Sequence, residues 1–455
     1  MDDRRNSLTE GNILTKMLLF AVPIFWGNVF QQLYNTVDSL IVGNFLGETP
    51  LAAVSSSGNL IFMLIGFFQG LSMGAGILIA RYYGAKNYEA MRKAIHTDVA
   101  LGLCTGVLLT VIGVSMTPAI LNWMGTPEDV LPYSIEYFRF YFLGAIFTVM
   151  YNIFVGILHA VGDSKHPLYY LIISSLVNVV LDLLFVGLWG QGVWAAALAT
   201  TISQGISALL CCIRLVRFHT SYRLYLRKIR FHLHSLKEIL QFGLPSAVQN
   251  SVIGLANVFV QSNINAFGSA AMAGCGSYSK LEGFAFLPVT CFSQALSTFV
   301  GQNLGAKQYE RTKKGAIFGT CCSVIAAEVV GLSLYLAAPY LIGLFDNSPQ
   351  VIFFGTQHTR TIALFYFLLA FSHCAAAILR GCGKSTIPMV VMLLFWCMFR
   401  VSYITVAVQH VEKLTTVSWA YPITWSCSSI VFLIYLLKAD WLHNFDRLEQ
   451  KALVK

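Results

Sequence analysis

The chain has 455 residues, 56% of them hydrophobic and only 11% charged, and a net charge of +9. No soluble globular domain needs that much apolar surface, so the composition excludes one. The positive charge does not indicate nucleic acid either, because it alternates from loop to loop along the chain.

Apolar stretches of about 20 residues or more, each long enough to cross a bilayer as a helix, recur over the whole length. Twelve spans are predicted, and little is left for a soluble domain. Span 1 (14–43) contains Pro23 and then QQLYNTVDSL, which sets Gln31, Tyr34, Asn35 and Asp38 on one helical face. Such a polar stripe must face protein or water rather than lipid. Span 2 (52–80) leads into a loop carrying Arg81, Lys86, Arg92 and Lys93. Span 3 (94–117) and span 4 (132–160) are joined by a loop with Glu128 and Asp129. Span 5 (167–189) holds Asn178 and Asp182 one turn apart, and span 6 (191–216) holds Thr200 and Gln204 at the same spacing among small residues. Basic residues cluster at the end of span 6 and after it: Arg214, Arg217, Arg223, Arg227, Lys228, Arg230 and Lys237.

Span 7 (239–267) contains Pro245, and span 8 (270–300) contains Lys280 and Glu282. These two are separated by i, i+2 and share no helix face. Span 9 (315–341) carries Glu328, span 10 (352–379) His373 and span 11 (386–408) Arg400, and span 12 (417–438) follows. Glu328 and Arg400 read as structural charges, and His373 as a packing residue. The even-numbered loops are basic and the odd ones, with Glu48 and Asp346, are not, which places both termini in the cytoplasm. The N-terminus lacks the features of a cleaved signal peptide, so span 1 serves as its own insertion signal.

The chain also repeats itself. YGAKNYEAMRKA (83–94) matches LGAKQYERTKKG (304–315), and ILHAVGDSKHP (157–167) matches ILRGCGKSTIP (378–388), both at a spacing of 221 residues. Pro23 falls within one residue of Pro245 in the same register. Two copies of six spans share one membrane orientation, so the repeat is parallel, about an axis along the membrane normal. The predicted fold is an all-α polytopic membrane protein with twelve transmembrane helices in two six-helix lobes. The first lobe covers 1–216, the basic linker 217–237 and the second lobe 238–455. Such repeats point to alternating access around a central cavity.

Ionisable groups inside a bilayer are costly and are functional hypotheses by default. Two carboxylates in one six-helix lobe favour function over helix packing, because asparagine would hydrogen-bond as well without the cost of charge. The second lobe does not copy them: Asn178 and Asp182 fall on Phe399 and Tyr403, and Lys280 and Glu282 stand where the first lobe has Asn59 and Ile61. Three motifs mislead. GCGKST (381–386) lacks the first glycine of a P-loop, which falls on Ile378, and has no preceding strand. AVGDS (160–164) has Ala160 where an intramembrane aspartyl protease needs glycine. His219, His232 and His234 lack metal-ligand spacing with acids or cysteines.

PIFWGNVFQQLYNTVDSLIVGNFLG, RYYGAKNYEAMRKA, AVGDSKHPLYYLIISSLVNVVLDLLFV and STFVGQNLGAKQYERTKKG together resemble the multidrug and toxic compound extrusion (MATE) family, over essentially the whole chain and closer to its DinF-like branch. The resemblance implies a V-shaped bacterial antiporter of the cytoplasmic membrane, monomeric, with no catalytic residues and no cofactor beyond the coupling ion. It would export cationic amphipathic compounds against inward H⁺ or Na⁺. Asp38, Asn178, Asp182 and Thr200 stand at the family's first-lobe coupling positions, with Tyr34 beside them, and Na⁺ would sit at Asp38, Asn178 and Asp182. Pro23 matches a hinge proline of span 1. Gln31, Asn35, Gln204, Lys280 and Glu282 are assigned to the substrate cavity. The NorM-like branch places carboxylates in spans 7 and 10, but 239–267 and 361–379 contain none. The partners expected are small cationic drugs or metabolites and membrane lipid. The runner-up function is a lipid-linked-oligosaccharide or lipid flippase of the same superfamily; an intramembrane enzyme and a channel are less favoured.

Overall fold

A computed structural model describes residues 7–123, 126–218 and 220–453; the histidine at 219 and the side chains of Asn59 and Ile61 lie outside it. Among the described residues the regular elements are all helices. Among the described residues eight helices are long and apolar enough to cross a bilayer, and two bent pairs add two more. The bent pairs are span 4, Leu131–Leu143 with Ala145–Ala160 (48°), and span 10, Pro349–Ala363 with Tyr366–Gly381 (53°). Span 2 (Glu48–Gly84) and span 7 (Leu233–Asn265), 37 and 33 residues long, complete the twelve. Span 7 is long enough, but Gln241, Gln249, Asn250, Asn257, Gln261 and Asn263 dilute its hydropathy.

Several helices run past their apolar windows because the connecting loops are only two or three residues long. Span 2 stops at Gly84, Lys86 turns into the left-handed region (φ 57°), and Asn87 Oδ1 accepts the Ala90 N–H at 3.2 Å to start Tyr88–Trp123. Lys307 has the same φ, 57°, 221 residues later. Gly47 and Gly268 (both 94°) and Gly162 and Gly383 (86° and 78°) pair at that spacing too. A lysine in the left-handed region is uncommon, so its recurrence in register is backbone evidence for the repeat.

Bends in the two copies are handled locally. At the break in span 10, Glu328 of span 9 accepts the Phe367 N–H at 3.1 Å, satisfying a donor that opens the second helix. Span 5 continues Lys165–Asp182 into a π-helical turn, Leu183–Leu188; span 11 contains another, Leu393–Phe399, followed by Arg400–His410. Asp182 therefore sits where the helix widens.

Two compact units exist, and they do not follow the repeat boundary. Among the described residues, one contains Ser7 and Trp26–Ala247; the other contains Leu8–Phe25 and the chain from Val248 to residue 453. Span 1 changes unit two residues after Pro23, and span 7 two residues after Pro245. Residues 8–25 thus pack with the second copy, and the part of 217–247 drawn as linker and span 7 packs with the first. Arg311 fixes the start of this exchange in the second unit, donating to the carbonyls of Leu8 (3.0 Å) and Gly11 (2.7 Å). In the first unit, Thr97 Oγ1 accepts the His232 N–H at 3.2 Å and Tyr82 donates to Glu238 at 2.8 Å.

Candidate functional site

The first unit brings Asp38 of span 1 against Asp182 of span 5. Both are buried, at 7% and 0% exposed, and so is Asn178 at 1%. The two carboxyls stand close enough to share a hydrogen bond. As two carboxylates they would have no proton between them, and Asp38 Oδ1, both Asp182 oxygens and both side-chain polar atoms of Asn178 find no partner among the described residues. Like charges at such range cannot both stay ionised in a dry site. The arrangement needs a proton, or a small cation, to be stable.

The spacing puts Asn178 and Asp182 on one face, and both turn inward as the sequence predicts. Gln204 donates to the Tyr34 hydroxyl at 3.3 Å, joining spans 6 and 1, and Gln31 lies within reach of the same hydroxyl. Gln204 Oε1 has no partner. Asn35 is exposed, and Thr200 is half-buried and bonds to neither carboxyl. Pro23 is buried within the continuous helix Ile13–Leu46.

Tyr137 of span 4 was not identified from the sequence; it is buried at 5% exposed and lies close to Asp38 and Asp182. Its signal was the aromatic series PYSIEYFRFY, which reads as packing. Tyr137 belongs to an apolar cluster with Ile41, Val42, Val54, Val186, Val193 and Ala195–Ala197. In each span the cluster residue lies nearer the odd-numbered loops than the carboxyl pair does. Dry packing therefore closes the site on that side, while Tyr34, Gln31 and Gln204 lie on the other.

Among the described residues no group of three or more His, Cys, Asp or Glu is placed to hold a metal. Two carboxyls and one amide give hard oxygen donors with charge for a monovalent cation, and their orphaned oxygens fit H⁺ or Na⁺.

The MatE family profile matches residues 23–184 and again 245–404, once in each copy of the repeat. The chain belongs to the MatE family. The probable multidrug resistance protein YoeA of Bacillus subtilis is 30% identical over 395 residues, covering 85% of each chain. The probable multidrug resistance protein NorM of Thermotoga maritima is 26% identical over 440 residues, covering 94% of this chain and 93% of its own. A crystal structure of MATE in complex with MaL6 superposes with a TM-score of 0.88 at 25% identity, covering 94% of this chain and 97% of that one.

In the second unit of this MATE protein, Glu282 is half-buried and accepts from Tyr278 at 3.1 Å; the Tyr278 hydroxyl also meets Tyr366 at 2.9 Å. Arg400 is 2% exposed, donates to Thr424 at 2.9 Å and lies 4.5 Å from the Tyr421 ring centre. Lys280 is exposed, with its ammonium 5.2 Å from the Phe345 ring centre. Lys280 and Glu282 thus occupy different surroundings, as their spacing requires. His373 packs edge-on against Phe286 (4.9 Å) and Trp396 (5.4 Å). Asp163, in the loop after span 4, is 2% exposed, contacts His166 Nδ1 at 2.7 Å and lies 3.6 Å from Arg214. Burial alone would push its carboxyl up, but the His166 bonds and the Arg214 charge hold it below the usual carboxylate range.

Proposed function

We propose that this chain is a secondary-active exporter of cationic amphipathic compounds, exchanging them for H⁺ or Na⁺ by alternating access. The observation that carries the proposal is the buried pair of Asp38 and Asp182 with unpartnered oxygens. A site that is stable only with a cation or proton bound can be loaded on one face of the membrane and discharged on the other. The names of the multidrug relatives support the substrate class, and the family match supports transport rather than catalysis.

Asp38, Asp182 and Asn178 form the coupling site, with Tyr34 and Gln204 lining its open side and Thr200 one turn away. Gln31 and Asn35 in the first unit contact substrate, as do Lys280 and Glu282 in the second, and Pro23 allows span 1 to bend. A proline lacks the amide that would tie it to the preceding turn, so bending is least costly there. The protein works as a monomer in the bacterial cytoplasmic membrane with both termini inside. Uptake of a fluorescent cation into inverted vesicles tests this: it should stop when a protonophore is added or Na⁺ is withdrawn. Uptake insensitive to both would refute ion coupling.

A further inference from the structure

Asp98 of span 3 is 1% exposed, and its Oδ1 has no hydrogen-bond partner among the described residues. It lines a small cavity of about 20 Å³ in the first unit, between spans 2, 3 and 4. That is room for one water. Gln69, Ser72, Thr105 and Asn152 supply the other polar lining, and none of the ten lining residues besides Asp98 is titratable.

The lining favours the acid over its anion. Thr105 already gives its hydroxyl proton to the Leu101 carbonyl at 2.8 Å, and Asn152 gives an amide proton to Thr148 at 2.8 Å. Gln69 gives an amide proton to Asn152 Oδ1 at 3.5 Å, and no lining donor reaches Asp98 Oδ1 among the described residues. A carboxylate there, with neither a donor on that oxygen nor a cation in the lining, would be both unpaired and poorly solvated. A carboxylic acid carries no charge to pair and can donate to a water or to the Thr105 oxygen. The site lies nearer the even-numbered loops than Asp38 and Asp182 do: Asp98 is three turns from the start of Tyr88–Trp123. Tyr151, adjacent to Asn152 on span 4, neighbours Tyr34 of the carboxyl-pair site.

We propose that Asp98 is a second proton-holding site of the first unit, an acid with one water in the cavity on the cytoplasmic side of Asp38 and Asp182. During transport its proton leaves when water and substrate reach the inner half of the unit, so the pH dependence of export includes an acid besides the coupling pair. The transport role rests on the ion-coupled reading above; the protonation does not.

The test is infrared difference spectroscopy of the full chain in lipid nanodiscs, in a background carrying Asp38→Asn and Asp182→Asn. At neutral pH a protonated-carboxyl band should remain, and adding Asp98→Asn should remove it. Thr105→Val should shift the band, because it removes an acceptor the acid uses while leaving the acid in place. A band unchanged by Asp98→Asn would overturn the assignment, and a band erased by Na⁺ at fixed pH would replace the proton with a metal cation. In the otherwise wild-type chain, Asp98→Asn should shift the pH midpoint of dye export. Loss of the band with an unshifted midpoint would refute the transport role alone.

Discussion

Gly74 is the position where one added carbon should do the most damage. A Cβ there would lie 2.3 Å from Gly243 N, 2.5 Å from Gly243 Cα and 2.5 Å from the Ile239 carbonyl, all backbone atoms of span 7 within the first unit. Gly70, one turn earlier, would meet Ala247 N at 2.3 Å. Small residues four apart let these helices touch along their backbones. No rotamer can relieve contacts to backbone, so Gly74→Ala must force the helices apart by about 1 Å, and overpacking of this kind costs about 1–3 kcal/mol. Alanine returns about 1 kcal/mol in helix propensity, leaving a net loss of roughly 1 kcal/mol. Gly254 provides the control, since a Cβ there meets nothing within 4 Å and only the propensity gain remains. The assay is thermal unfolding of the purified proteins in detergent, read as monodispersity after heating. Gly74→Ala should lower the midpoint by about 2–4 °C and Gly254→Ala should hold or raise it. Equal midpoints for the two variants would refute the close approach.

Asp163→Asn removes the carboxylate that both His166 and Arg214 meet. Breaking a buried pair costs on the order of 3 kcal/mol. Because the folded carboxyl titrates below its unfolded value, that stability is present above pH about 4 and is lost as pH falls through the folded value. Wild type and variant should therefore differ in melting at pH 7 and converge in acid. Glu282→Gln should weaken export of cationic dyes more than it lowers membrane abundance, as measured by transport per unit of protein on immunoblots. A parallel fall in both would make Glu282 a structural residue. A reporter fused near Arg223 should read cytoplasmic and one near Pro127 extracytoplasmic, and the reverse pattern would contradict the orientation.

The sequence made the helices and the repeat legible because both are written in long-range periodicities: apolar length for the spans, and the 221-residue register that returns as paired left-handed Lys86 and Lys307. The Asp38 and Asp182 pair was legible as well, since charges inside apolar helices are conspicuous. Asp98 escaped notice because it follows His96 and Thr97 near the basic loop, where a polar residue reads as the edge of a span; only the depth of helix Tyr88–Trp123 shows it buried. The exchange of span 1 and span 7 between units also could not be read, because a single helix has one period whichever neighbour it meets. Pro23 and Pro245 marked the place without revealing that packing changes there. Gly70 and Gly74 looked like ordinary small residues of a membrane helix, as nothing local identifies the partner backbone.

The central claim is that Asp38 and Asp182 act as one ion-exchanging pair, and it is tested by ion-driven uptake of a fluorescent cation into inverted vesicles, normalised to protein content. Asparagine keeps the size and hydrogen bonding of either side chain but cannot change charge. Asp38→Asn and Asp182→Asn should each nearly abolish uptake while leaving membrane abundance intact. The double variant should lose little more than either single one, as expected for groups in one network. Near-wild-type uptake by either single variant would contradict the account.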